Sequence, residues 1–244
     1  MREIVLDTET TGFDAERDDR IVEIGAIELL NHMPTQNTFH VYINPERGMP
    51  DGAFGVHGIG PDLLTPPRDA KPGEVTLRDK PVFKAFGQKF LDFIGDSKLV
   101  IHNASFDMKF LNAELKRIGL RQLPMSQAID TLAMARTKFP GSPATLDALC
   151  RRYGIDNSSR TLHGALLDSE ILAEVYLELI GGRQPDFGLN TAGENGSNVG
   201  ENDWRPFPRP APLPPRITQK ETAAHAEFVD KMGDGALWKK LAGG

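Results

Sequence analysis

Ile4-Val5-Leu6-Asp7-Thr8-Glu9-Thr10-Thr11-Gly12 is the stretch from which the rest of the chain is read. Its apolar start, rich in β-branched residues and without polar alternation, reads as a strand covered on both faces. Side chains alternate along a strand, so Asp7 and Glu9 fall on one side, two residues apart. Two carboxylates at the end of a buried strand repel each other, and a divalent cation is the most direct way to neutralise them. The competing reading of D-x-E alone is a strand end decorated with solvated acids.

The chain of 244 residues has room for one good-sized domain and an appendage. An apolar share of 39% and a charged share of 25% fit an ordinary soluble protein. The net charge of −6 argues against non-specific binding along duplex nucleic acid, which needs a basic surface. It leaves open a site that grips one strand end through metal ions. The single cysteine, Cys150, excludes an internal disulfide and a thiolate zinc cluster and suits a reducing compartment. With no apolar run of signal-peptide or membrane-span length, the expected location is the cytoplasm, with no membrane partner.

Residues 20–30 (RIVEIGAIELL) and Phe39-His40-Val41-Tyr42-Ile43 read as two further strands, which with the first suggest an antiparallel meander. Glu23, inside the second strand, faces either the acids or solvent. Residues 51–72 read as a loop rich in glycine and proline, and residues 64–80 as a surface insertion. From Pro81 the spacing of Val82, Phe83, Phe86, Phe90, Phe93 and Ile94 predicts one helix with an apolar stripe. Leu99-Val100-Ile101 and Ala128-Ile129-Asp130 read as strands, each followed by a helix. Ser105 is the expected cap of the first of these helices and Gly119 its end. Thr145 caps a helix ending before Gly154, and residues 165–180 form a strong amphipathic helix. Strands first in a meander and then alternating with helices predict an α/β fold, a mixed sheet with helices on both sides.

Composition divides the chain into residues 1–181, a Gly/Pro-rich linker at 182–217, and a terminal segment at 218–244. Six prolines between Arg205 and Arg216 predict an extended linker. Thr218 and Glu221 have capping-box spacing, with Ala224, Phe228 and Met232 at helical intervals and Leu237, Trp238 and Leu241 beyond. A short apolar segment on a tether cannot bury itself alone. It reads as a partner-docking peptide, or else as a segment that folds back on the domain.

Asp7, Glu9, Asp107, His163 and Asp168 form the candidate site. Hard oxygen donors without cysteine suit Mg²⁺ or Mn²⁺. His163 lies in a loop five residues before Asp168, which lies in the first turns of a helix. Without that acid it would read as a surface histidine.

Asp7-Thr8-Glu9-Thr10-Thr11-Gly12, His102-Asn103-Ala104-Ser105-Phe106-Asp107 and His163-Gly164-Ala165-Leu166-Leu167-Asp168 resemble, in order, the three motifs of the DEDDh 3′→5′ exonucleases. Within that family the likeness is to the epsilon-type proofreading subunits of bacterial DNA polymerase III, over about residues 3–180. Phe54-Gly55-Val56-His57-Gly58 shares it. The resemblance implies a ribonuclease H-like fold and hydrolysis of phosphodiesters with two divalent cations, Mg²⁺ or Mn²⁺. In such sites the ions stand ~3.5–4 Å apart. Asp7 would bridge them, Glu9 and Asp168 would complete one position, and Asp107 would help hold the other. His163 would accept the proton of the attacking water.

By the same resemblance, Glu9, Thr10, Thr11, Gly12, His57 and Asp168 would contact the 3′-terminal nucleotide. His102, Asn103 and Phe106 would form the adjacent wall, although Phe106 also reads as core. A mispaired end costs less to unpair, which gives proofreading its selectivity. The implied partners are a DNA 3′ end, the polymerase III alpha subunit at the C-terminal segment, a small theta-type subunit, and a sliding clamp at Gln184-Pro185-Asp186-Phe187-Gly188-Leu189. That last peptide lacks the usual central aliphatic residue. A stand-alone exoribonuclease carries the same motifs but is usually only a catalytic domain. A polymerase scaffold without nuclease activity would have no need of all five residues.

Overall fold

The computed structural model describes residues 1–158, 162–182 and 217–233. Five strands, β1 (Arg2–Thr10), β2 (Ile21–Leu30), β3 (Met33–Tyr42), β4 (Lys98–Ile101) and β5 (Ala128–Asp130), make one sheet in the order β3-β2-β1-β4-β5. The first three form the antiparallel meander, and β4 and β5 add parallel to β1. The helices are α1 (Asp51–His57), α2 (Gly87–Ile94), α3 (Ala104–Arg117), α4 (Thr131–Lys138), α5 (Leu146–Tyr153), α6 (Ala165–Leu179) and α7 (Gln219–Lys231).

The alternation along β1 sets the two faces. Ile4 and Leu6 pack with Phe90, Ile94, Phe110, Leu111 and Leu115 of α2 and α3. Val5 packs with Leu149, Cys150, Leu172 and Val175 of α5 and α6. Complete burial of such side chains contributes roughly 1.5–3 kcal/mol each. Asp7 and Glu9 are in phase with Val5 and emerge toward α6, whereas Thr8 emerges toward α3. The mixed sheet with helices on both faces is the one expected from the sequence.

Several local expectations are corrected. The stretch at 51–72 is not all loop: residues 51–57 form α1, closed by Gly58 at φ +68°. The helix expected from Pro81 is broken. Phe83–Ala85 is a 3₁₀ turn, and Phe86 at φ −113° separates it from α2. Residue 103, not Ser105, stands at the start of α3, with Asn103 in the left-handed conformation (φ +66°). The segment 64–80 is not purely surface, since Leu77 is buried beside Val22, Met49 and Ile59. Asp62 fastens it by accepting the Leu77 and Arg78 amides at 3.0 and 2.8 Å. The Thr145 cap and the glycine after α5 occur as expected: Thr145 accepts the Ala148 amide at 3.2 Å and Gly154 is left-handed.

The chain divides into two units, Met1–Gly188 and Leu189–Gly244. In the second, α7 carries the expected capping box, with Thr218 Oγ1 accepting the Glu221 amide and Glu221 Oε2 accepting the Thr218 amide. Ile217, Phe228 and Met232 are exposed. Most of the linker, the 184–189 peptide and residues 234–244 with Trp238 lie outside the described residues. Among the described residues no helix is long and apolar enough to cross a membrane.

Candidate active site

β1, α3 and α6 deliver the four acids to one cleft of about 710 Å³, lined by Asp7, Glu9, Asp107, Asp168, His163, His102, Asn103 and Phe106 among others. Glu9, His163 and Asp168 each place a ligand atom within 4.8 Å of the other two. His163 Nδ1 lies 3.2 Å from Asp168 Oδ2. Across the strand, Thr8 Oγ1 donates to Asp107 Oδ1 at 2.7 Å, which ties β1 to α3.

Desolvation holds the Asp7 carboxyl well above the ordinary carboxylate range, and the charges of Asp107, Glu9, Asp168 and Glu23 add to it. Burial pushes Asp107 from 3.8 up to about 7, against the Thr8 hydrogen bond. Such mutual elevation marks a site built for a cation: four oxygen-donor acids beside a histidine suit a hard divalent ion.

A second cavity of about 640 Å³ shares Thr8, Glu9 and Phe106 with the cleft and is lined by Thr10, Thr11, Gly12, Phe13 and His57. His57 is fixed as one tautomer. The Ile59 amide donates to Nδ1 at 3.0 Å and Nε2–H donates to the Thr10 carbonyl at 3.3 Å. Burial lowers its pKa from 6.5 to about 4, so it is neutral near pH 7. A Cβ at Gly12 would lie 2.3 Å from the Asp19 carboxylate, so a larger residue there would have to displace that side chain. Phe106 is both core and wall: it packs on Phe110 with ring centroids 4.9 Å apart while lining both cavities.

A family model described as Exonuclease matches residues 4–176. DNA polymerase III subunit epsilon of Rickettsia felis is 48% identical over 235 residues, covering 95% of this chain and 97% of that protein. The subunit of Escherichia coli K12 is 43% identical over 250 residues, covering 98% and 97%. This chain belongs to the DNA polymerase III epsilon family of exonucleases. Among solved structures, the nuclease domain of 3′hExo, a DEDDh family member bound to rAMP, matches with a TM-score of 0.58 at 21% identity. The match covers 73% of this chain and 91% of that one. E. coli exonuclease I in a zinc-bound complex with single-stranded DNA matches with a TM-score of 0.59 at 19% identity, covering 76% and 41%. These likenesses establish the ribonuclease H-like exonuclease fold.

Glu23, left undecided by the sequence, faces inward in this epsilon-family domain. It lies opposite Glu9 in the β1–β2 register. Its Oε2 accepts the Ala165 amide at 3.0 Å, and its Oε1 is 2.7 Å from His40 Nε2. The start of α6, which carries Asp168, is thereby latched to β2. Ser169 Oγ adds a bond to the Gly25 carbonyl at 2.9 Å. Gly25 permits the approach, since a Cβ there would lie 2.2 Å from the Ala165 backbone carbon. The His163 loop is held from the other side, where its amide donates to the Val56 carbonyl of α1 at 3.1 Å. The inward-facing acid among apolar neighbours and Gly25 two residues later were the signals in the sequence. Their partner, 142 positions away, was not legible there.

Proposed function

We propose that this chain removes mispaired nucleotides from DNA 3′ ends as the proofreading subunit of a bacterial DNA polymerase III. The observation that carries the reading is the convergence of Asp7, Glu9, Asp107, Asp168 and His163 on one cleft. Asp7, Glu9, Asp107 and Asp168 would hold two divalent cations, Mg²⁺ or Mn²⁺. When bound, the ions supply charge neutralisation at the phosphodiester and acidify the attacking water.

The chain's own groups do the rest. Thr10, Thr11, Gly12 and His57 enclose the terminal nucleotide, with neutral His57 bracing the β1 end through the Thr10 carbonyl. His102, Asn103 and Phe106 wall the cleft beside the scissile bond. His163, with Nδ1 beside the Asp168 carboxylate, takes the proton of water at Nε2. Glutamate 23 keeps Asp168 and the His163 loop in register with Glu9.

Residues 1–181 are the catalytic domain in this reading, 182–217 a tether, and 218–244 the segment that docks on the polymerase alpha subunit. Support for the tail comes from the exposed Ile217, Phe228 and Met232 and from relatives matched over 95–98% of the chain. A small theta-type subunit and a sliding clamp engaged by residues 184–189 are further partners, proposed by resemblance alone. The cytoplasm is the compartment that fits this role.

Asp7→Ala tests the chemistry. Mg²⁺-dependent release of mononucleotides from single-stranded DNA falls by several orders of magnitude, and a rate equal to wild type refutes the mechanism. Side-by-side rates on matched DNA and RNA oligonucleotides exclude or restore the exoribonuclease reading. Capture of the polymerase alpha subunit by the full chain but not by a chain ending at Gly182 tests the tail.

A further inference from the structure

The two cavities meet at Thr8, Glu9 and Phe106. One runs past Thr10, Phe13 and His57 toward α1, and the other runs past Leu132, Arg136, Ser142 and Thr145 along α4 and α5. On the reading above, the terminal nucleotide occupies the first and its scissile phosphodiester lies at their shared wall. The strand then leaves through the second. Asp7, Glu9, Asp107, Asp147 and Asp168 all line the cleft, so a polyanion passing along it needs cationic contacts. Cations at the carboxylates offset the charge at the scissile group but not further along.

Among the described residues, Arg136 is the only Lys or Arg that lines this cleft. Two other cations on the same elements, neither lining the cleft, are committed elsewhere. Lys138 donates to the Glu178 and Leu179 carbonyls at 3.1 and 3.0 Å, and Arg152 stacks 4.2 Å over the Phe139 ring. No described residue pairs with the Arg136 guanidinium. Leu132 and Arg136, four apart, share one face of α4. The helix itself is keyed to the site, since Asp130 Oδ1 accepts the Leu132 amide at 2.9 Å and the Asn103 amide at 3.2 Å. An exposed, uncommitted guanidinium on a registered helix, inside an otherwise acidic cleft, has the chemistry to grip a phosphodiester.

We propose that Arg136 binds a backbone phosphate of the single strand just upstream of the scissile bond, making the α4–α5 arm of the cleft the track for the strand. The inference rests on the exonuclease reading and adds the path of the substrate. The side chain acts as a positioning residue and does not touch the reacting atoms.

The test compares the full chain with R136A and R136K on two substrates. One is the p-nitrophenyl ester of thymidine 5′-monophosphate, which has no upstream phosphate. The other is a single-stranded oligothymidylate. R136A is expected to lose kcat/KM about tenfold more on the oligonucleotide than on the ester, mainly through KM, as fits loss of a phosphate contact. The slope of log Kd against log salt for the oligonucleotide falls by ~0.7, the contribution of one single-strand phosphate. R136K retains the slope, which a purely structural role would not predict. Equal losses on both substrates, or an unchanged salt slope, overturn the proposal. A wild-type chain inactive on both substrates overturns the exonuclease reading itself, and the proposal with it.

Discussion

Asp107→Asn isolates the electrostatic cost of the site. Asparagine keeps an oxygen to accept the Thr8 Oγ1 hydrogen bond seen at 2.7 Å and removes the charge, with an amide nitrogen in place of the second oxygen. The folded-state pKa of Asp107 is raised from 3.8 to about 7, so between those values the folded chain binds more protons than the unfolded one. Stability from this group is therefore fully present below the unfolded value and is lost as pH rises toward about 7.

Taken at ~1.4 kcal/mol per pH unit, the full shift corresponds to ~4 kcal/mol, and relaxation around the ionised group lowers the realised cost to ~2 kcal/mol. In a chelator at about pH 8, Asp107→Asn should then melt higher than wild type by ~4–8 °C, at ~2–4 °C per kcal/mol for a chain of this size. Near pH 4 the two should melt together. Adding Mg²⁺ should raise wild type more than the variant, because a ligand of the folded state stabilises it in proportion to its affinity. Thermal melts followed by circular dichroism across this pH range decide the matter. A variant no more stable than wild type at pH 8, or a gap that does not change with pH, refutes the argument.

Two further outcomes follow from the same geometry. Gly25→Ala forces α6 away from β2, because the new methyl would lie 2.2 Å from the Ala165 backbone. It should cost ~1–3 kcal/mol in chemical denaturation, as overpacking does, and lower kcat more than KM, since Asp168 moves with α6. An unchanged kcat would mean that the start of α6 is not position-critical. His57 titrates in the opposite sense to Asp107. Its folded value of about 4 against 6.5 means that stability is present above about pH 6.5 and lost as pH falls toward 4. His57→Gln should flatten that acid limb relative to wild type and raise KM for short oligonucleotides, both readable from paired pH melts and initial rates.

The readings that held were local ones. Period-two and period-3.6 patterns carry the strand and helix types because they depend only on which positions of one element are apolar. The three motifs bring the candidate residues to one cleft because each is a short run whose spacing is kept inside a single strand end or helix start. Local pattern failed where a neighbour in space overrode it. The apolar stripe after Pro81 continues in sequence, but Phe86 breaks the helix while Phe83 and Phe90 both remain in one core. The 51–57 run looks like a loop by its glycines, yet it forms the short helix that fixes His57 and catches the His163 loop.

By itself the sequence determined the fold class and the order of the strands' arrival, and it proposed which acids form the site. Only the tertiary structure decided which way Glu23 faces, which cations are already engaged and that, among the described residues, Arg136 is the one Lys or Arg lining the cleft. The physical reason is that a side chain's direction follows from its own strand or helix. Its partners follow from how elements far apart in sequence pack across the sheet.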